Sequence, residues 1–248
     1  MKRAETLLVS ILIAVSALGA TAHTAAAYTA DAWVNSDSFT RTCLGFDDSY
    51  PSQLYDWARF GMSQLGYSPL AGTIGSGFTR SAFLNHVLYP WAVYVHSHAD
   101  NYWTSSGTNS GILQDPGTGN CSNYSRDMIS SSQIKSATLG SFYNLVVMSA
   151  CNIGSSSSTM PWAFQMDKTK SSSQRKFYLG YDYLTYDSSE LRFESNFWSY
   201  LNGGYNHSRT VGQAFNYAVS IGGYESVNSS NPFSPDWWGN PNYNGTPG

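Results

Sequence analysis

Two stretches decide the fold: Trp91-Ala92-Val93-Tyr94-Val95-His96-Ser97-His98-Ala99-Asp100 and Leu145-Val146-Val147-Met148-Ser149-Ala150-Cys151-Asn152. Each opens with a run of β-branched, aromatic or other apolar residues that is too short for a helix and apolar on both alternations. A strand with one wet face would alternate, whereas a continuous run marks a strand covered on both faces, the habit of parallel sheets. Phe177-Tyr178-Leu179-Gly180-Tyr181 is a third run of this kind. The first two runs then break into polar, chemically reactive residues, where strands of a parallel sheet hand over to functional loops.

Around these runs the period becomes helical. Pro51 opens a stripe through Leu54, Trp57, Ala58, Met62 and Leu65 that Gly66 stops. Phe83, Val87 and Leu88 mark a shorter helix, and Thr159 with Pro161 reads as the cap and first turn of another. Leu191, Phe193, Phe197, Trp198 and Leu201 form a stripe ending at Gly203-Gly204, after which Thr210-x-x-Gln213 is a capping box leading Val211, Ala214, Phe215, Ala218 and Val219. Residues 104–120 and 154–158, rich in Gly, Ser and Asn, read as loops. Strands alternating with helices predict an α/β layered domain, a mostly parallel central sheet flanked by helices.

The chain has 248 residues, 42% hydrophobic and 15% aromatic but only 12% charged, which excludes disordered, collagenous and coiled-coil classes. A net charge of −3 without a Lys/Arg stripe argues against a nucleic-acid partner. Lys2 and Arg3, the apolar run Leu7 to Ala20 and Ala25-Ala26-Ala27 read as a secretory signal over residues 1–27, rather than as an uncleaved anchor. The expectation is a secreted protein with no membrane segment after signal removal. Residues 28–224 form one domain in this reading, and 225–248 an irregular tail. Cys43 and Cys121 sit in polar, turn-rich surroundings and Cys151 follows a buried run; we expect a Cys43–Cys121 disulfide with Cys151 free, one of three pairings the count allows.

A thiol needs a nearby base to react at neutral pH, and a histidine set by a rigid strand supplies one. One apolar strand ending in Ser97-His98 and a later one ending in Ser149-Ala150-Cys151 resembles the caspase-like cysteine peptidases, the group of caspases, gingipains, separases and CHAT proteins. Ser149-Ala150-Cys151 before a Gly/Ser-rich loop, then Phe197 to Gly204 and Thr210 to Phe215, is most similar to the CHAT and gingipain-like bacterial members. The resemblance covers roughly residues 40 to 222. It implies a caspase-like three-layer sandwich and a secreted endopeptidase acting on a protein or peptide substrate, with no cofactor and no metal. His98 carries over as the catalytic histidine, Cys151 as the nucleophile, and the backbone N–H groups of Ala99 and Cys151 as the oxyanion hole. Ala99 departs from the family's glycine, and alanine restricts φ there.

Related peptidases that cut after Arg or Lys carry carboxylates at the ends of the first and last core strands, positions that Asp47, Asp48 and Asp182 match. Asp47 and Asp48 read equally as turn and helix-start residues. Lys168, Lys170, Arg175 and Lys176 flank Ser171-Ser172-Ser173, where the resemblance implies a processing site.

Two other readings stand beside this one. His96-x-His98-x-Asp100 has the spacing of the metallo-β-lactamase-like zinc hydrolases, yet Asn101 stands where another histidine belongs and only His207 remains downstream. A non-catalytic binding module on the same scaffold is consistent with 18 Tyr, 8 Trp and the Trp237-Trp238 pair.

Overall fold

A computed structural model describes residues 28–36, 50–69, 72–104, 107–115, 127–171 and 173–247. Cys43, Cys121, Asp47, Asp48 and residues 1–27 lie outside the described residues.

The central sheet is built from β1 (Thr29–Val34), β2 (Ser68–Pro69), β3 (Thr73–Ile74), β4 (Ala92–His96), β8 (Leu145–Ser149), β9 (Phe177–Tyr181) and β10 (Pro235–Gly239). Among the described residues its order is β10-β9-β8-β4-β1-β2, with β3 also pairing β1. β4 lies parallel to β1 and β8, β8 parallel to β9, and among the described residues of this sheet only β10 runs antiparallel, against β9. The three apolar runs are therefore strands at the middle of the sheet, and all five residues of β4, β8 and β9 are buried.

Alternation along the runs feeds two cores. Ala92, Tyr94, Leu145, Val147 and Leu179 face α1 (Tyr50–Gln64), α5 (Asp187–Asn202) and α6 (Val211–Ile221). Val93, Val95, Val146, Met148 and Tyr178 face α2 (Arg80–His86), α3 (Ser131–Ala137), α4 (Met160–Ala163) and a small sheet. That small antiparallel sheet joins β5 (Ala99–Thr104), β6 (Gly107–Leu113) and β7 (Met128–Ser130). The result is a three-layer arrangement whose middle strands are dry on both sides, which is why they do not alternate in polarity.

The helices follow the sequence pattern where their stripes are long. α1 spans Pro51, Leu54, Ala58 and Met62 on its buried side, and Gly66 takes φ +95 beyond its end. Thr210 caps α6, its Oγ1 accepting from the Gln213 N–H at 3.2 Å while Gln213 Oε1 accepts from the Thr210 N–H at 2.9 Å.

Four expectations are corrected. Residues 29–34, assigned no strand, are β1, whose alanines and buried Asp31 lack a strand-like pattern. The first described core strand closes at Val34, and Asp47 and Asp48 lie outside the described residues. Much of the loop expected over 104–120 is β6, whose Gly107-Thr108-Asn109-Ser110-Gly111 carries turn residues but pairs with β5 across its length. Thr159 does not cap α4: its Oγ1 accepts from the Ser110 N–H at 2.9 Å instead, and Gln165 at φ 59 follows this single-turn helix. The tail read as irregular contains β10, where Trp237 stacks on Phe177 with centroids 5.7 Å apart.

Candidate active site

β4 and β8 are adjacent and parallel, so residues just beyond their C-terminal ends emerge side by side. Register pairs His96 with Ser149, and the Ser97 N–H bonds the Ser149 carbonyl at 3.1 Å. Beyond it the chain is pinned to β6: Ser97 Oγ donates to the Leu113 carbonyl at 2.6 Å and the Leu113 N–H to the His98 carbonyl at 2.8 Å. His98 and Cys151 both line the cleft that opens there, a pocket of about 40 Å3 that also takes in Asn35 from the end of β1. That volume admits a water or two, not a peptide, so a chain-like ligand would lie across its mouth.

Cys151 sits in a turn held open by backbone. Asn152 adopts φ 62, a left-handed conformation that asparagine tolerates better than most residues, and its N–H bonds the Tyr183 carbonyl at 3.2 Å. The Gly154 N–H bonds the Tyr181 carbonyl at 2.9 Å. Here the loop crosses β9 so closely that a Cβ on Gly154 would lie 2.6 Å from the Gly180 carbonyl carbon. The Cys151 thiol packs on the segment leading into α5, its Sγ 3.5 Å from the Thr185 amide nitrogen. Burial, with the nearby charges of Glu190, Asp187 and Asp100, pushes the thiol up to about 12, against the hydrogen bond from Thr185. That direction favours the neutral thiol over the thiolate before a substrate arrives.

Ala99 opens β5 with its side chain buried in the second core, and it is absent from the residues of positive φ. Alanine therefore fits where the resemblance calls for glycine, without a left-handed backbone.

Beneath the two residues lies a buried polar group. His96 Nε2 is 3.3 Å from Asp187 Oδ2 and Nδ1 is 3.3 Å from Glu190 Oε2. Ser149 Oγ donates to the same Glu190 oxygen at 2.7 Å. Burial alone would lower the His96 pKa, but the two carboxylates overcome it and hold the ring well above the usual histidine range, as an imidazolium. Further along α5, Glu194 Oε1 accepts from the Tyr181 hydroxyl at 3.1 Å.

His96, Asp187 and Glu190 are compact enough to surround a divalent cation. Each ring nitrogen, however, already faces a carboxylate, and a ring protonated on both nitrogens offers a cation no lone pair. The zinc triplet His96, His98 and Asp100 does not assemble among the described residues: His96 turns toward α5, while Asp100 is exposed on β5 in the other sheet. Asp182 closes β9 outside the residues lining the cleft, with Oδ1 buried and no hydrogen-bond partner among the described residues. Burial and then the charge of Asp236 raise its pKa, offset in part by Lys170, which pairs with Asp236.

Asn35, Thr185, Asp187 and Glu190 were not legible as site residues. One signal was available: Glu190 and Glu194 fall on the buried stripe with Phe193, Phe197, Trp198 and Leu201, and carboxylates on the apolar side of a helix are rarely idle.

No protein-family model and no curated relative matches the chain. Among solved structures it is similar to the crystal structure of the Arg-specific cysteine proteinase gingipain R, with TM-score 0.51 and 12% identity over 87% of this chain and 46% of that one. It is also similar to the complex of Porphyromonas gingivalis RgpB pro- and mature domains, with TM-score 0.48 and 11% identity over 87% of this chain and 48% of that one. The chain spans about half the length of these structures. At such identity the likeness is one of fold: the mostly parallel α/β sandwich is that of the gingipain and caspase-like proteins.

Proposed function

We propose that this protein is a cysteine endopeptidase in which Cys151 attacks a peptide carbonyl and His98 moves the proton. The observation that carries this reading is that adjacent parallel strands β4 and β8 deliver His98 and Cys151 into one cleft on a gingipain-like fold. In this reading the thiol starts neutral, since burial raises its pKa, and attack and proton transfer go together. Sγ bonds to the carbonyl carbon as its proton passes to His98, and the developing oxyanion is met by the backbone N–H groups of Ala99 and Cys151. Collapse expels the amine with the proton from His98, leaving an acyl-enzyme. Water, deprotonated by His98, then attacks the thioester, which releases the acid and restores the thiol. The CHAT-like placing rests on Ser149-Ala150-Cys151 and the helical ending. Preference for Arg or Lys would fall to Asp182, with Asp47 or Asp48, by charge-assisted hydrogen bonds. Secretion follows from cleavage after Ala27, and the partner is a protein or peptide substrate.

A second reading, a binding module without activity, is favoured by one observation, the Cys151 thiol packed 3.5 Å from the Thr185 amide nitrogen in a cleft of only about 40 Å3.

The test is a fluorogenic peptide set varied at P1, run on the intact protein, on Cys151→Ala and on His98→Ala, with and without a chelator. Cleavage that both variants lose and the chelator spares supports the peptidase. No cleavage under any condition transfers the assignment to the binding module, and loss with the chelator alone points to the group around His96.

A further inference from the structure

Three segments carry the parts of the proposed site, and each has a side chain in the buried polar group two residues away. His96 closes β4 two residues before His98, Ser149 closes β8 two residues before Cys151, and Asp187 opens α5 two residues after Thr185. The four side chains are bonded to one another: His96 to Asp187 and Glu190 at 3.3 Å each, and Ser149 to Glu190 at 2.7 Å. His96, Ser149 and Glu190 are 4%, 0% and 2% exposed and only the Asp187 side chain, at 20%, reaches the cleft, so this is a largely interior clamp.

We propose that His96 is a positioning residue for Cys151: by bridging Asp187 and Glu190 it fixes the first turn of α5 against the ends of β4 and β8, and so sets the Thr185 backbone on which the thiol packs. A buried carboxylate that loses its partner pays a heavy desolvation cost. The helix therefore cannot shift by even part of a turn without stranding Glu190, and Thr185 cannot leave the thiol while Asp187 is held. A glutamine at position 96 reaches one carboxylate but cannot span both, since its donors sit on a single nitrogen. The catalytic consequence rests on the peptidase reading; the positional consequence does not.

The experiment takes His96→Gln and Ser149→Ala in the full chain. It follows deuterium exchange of peptides covering residues 183–190, alkylation of Cys151 by iodoacetamide mapped by mass spectrometry, and kcat and KM on the P1 peptide set. His96→Gln is expected to exchange residues 183–190 about tenfold faster while β4 and β8 keep their protection. Its Cys151 is alkylated about fivefold faster as the thiol becomes accessible. Its kcat falls about tenfold or more with KM within about twofold, as expected of a misplaced reacting group. Ser149→Ala removes the hydroxyl's bond to Glu190 at 2.7 Å and its longer contact with His96 Nδ1 at 3.4 Å, and should show the same changes at about a third of the size; it decides the matter if His96→Gln does not fold. Exchange and alkylation both unchanged in a folded variant would overturn the proposal. If the unaltered chain cleaves no peptide, the peptidase reading fails, and exchange with alkylation still decides whether His96 positions the thiol.

Discussion

The Thr185 amide points at Cys151 Sγ from 3.5 Å, so the thiol is packed against backbone from the start of α5. With its pKa pushed up to about 12, the thiolate is roughly one part in ten thousand at pH 8, against about a quarter for an exposed cysteine. Iodoacetamide, which offers no substrate contacts, should therefore modify Cys151 at pH 8 at least about a hundredfold more slowly than free cysteine, the rate climbing about tenfold per pH unit to pH 10. Peptide mapping separates this site from Cys43 and Cys121. A rate at pH 8 near that of free cysteine would mean a preformed ion pair with a histidine.

The loop after Cys151 is fixed by glycine on both sides of one crossing. A Cβ on Gly180 would sit 2.9 Å from the Gly154 nitrogen, and one on Gly154 2.6 Å from the Gly180 carbonyl carbon; both neighbours are backbone. Neither can yield without lifting the loop from β9. Gly154→Ala should cost about 1–3 kcal/mol by overpacking, read as a Tm lowered by about 3–10 °C in a domain of this size, together with loss of peptide cleavage. A variant with unchanged Tm and activity would show that the crossing is slack.

The last strand is part of the sheet. Besides pairing β9, its Trp238 Nε1 donates to the Gly154 carbonyl at 3.0 Å, and beyond it the Tyr243 and Tyr67 hydroxyls bond at 2.9 Å. Ending the chain at residue 224 uncovers the edge of β9 and the ring of Phe177, and an uncovered apolar edge invites aggregation. The truncated protein is expected in the insoluble fraction. A soluble monomer with native circular dichroism would show that β10 is dispensable.

What was readable in the sequence follows physical lines. The runs at 92–96, 145–149 and 177–181 announce themselves because both faces are buried, and α1, α5 and α6 because their stripes are long. β1 was hidden: Thr29-Ala30-Asp31-Ala32 has weak strand propensity and is held by neighbours on either side. β6 was hidden by turn residues that pair only because β5 folds back on them. In the site, Cys151 and His98 were visible as strand ends, whereas Asp187, Glu190 and Thr185 come from a helix distant in sequence that no spacing links to them. Position 96 shows the limit most clearly: its spacing to His98 suggested a shared metal, but β4 ends at His96, so the strand period does not carry on to His98, and the His96 ring is taken up by Asp187 and Glu190 of α5.

Buried carboxyls shape the pH dependence of stability, Glu190 among them, with its pKa raised by burial. Glu194 is raised from 4.5 to about 7, by burial first and then by the charge of Glu190. Asp31 is raised from 3.8 to about 6 by burial, against the charges of His86 and Arg59, and neither of its oxygens has a hydrogen-bond partner among the described residues. A group whose folded pKa exceeds its unfolded one stabilises fully below the unfolded value and loses that contribution as pH rises through the folded value. Asp31 therefore gives up its share between about pH 4 and 6, and Glu194 between about 4.5 and 7, each worth about 3 kcal/mol. The raised His96 acts in the same sense. Urea unfolding should show stability falling from pH 5 to 8. In Glu194→Gln, which keeps an acceptor for the Tyr181 hydroxyl but cannot ionise, the fall should be shallower by about 3 kcal/mol across the range. Stability that rises from pH 5 to 8, or a Glu194→Gln profile parallel to that of the unaltered protein, would mean that Glu194 is ionised in the folded core and that a cation other than His96 compensates it.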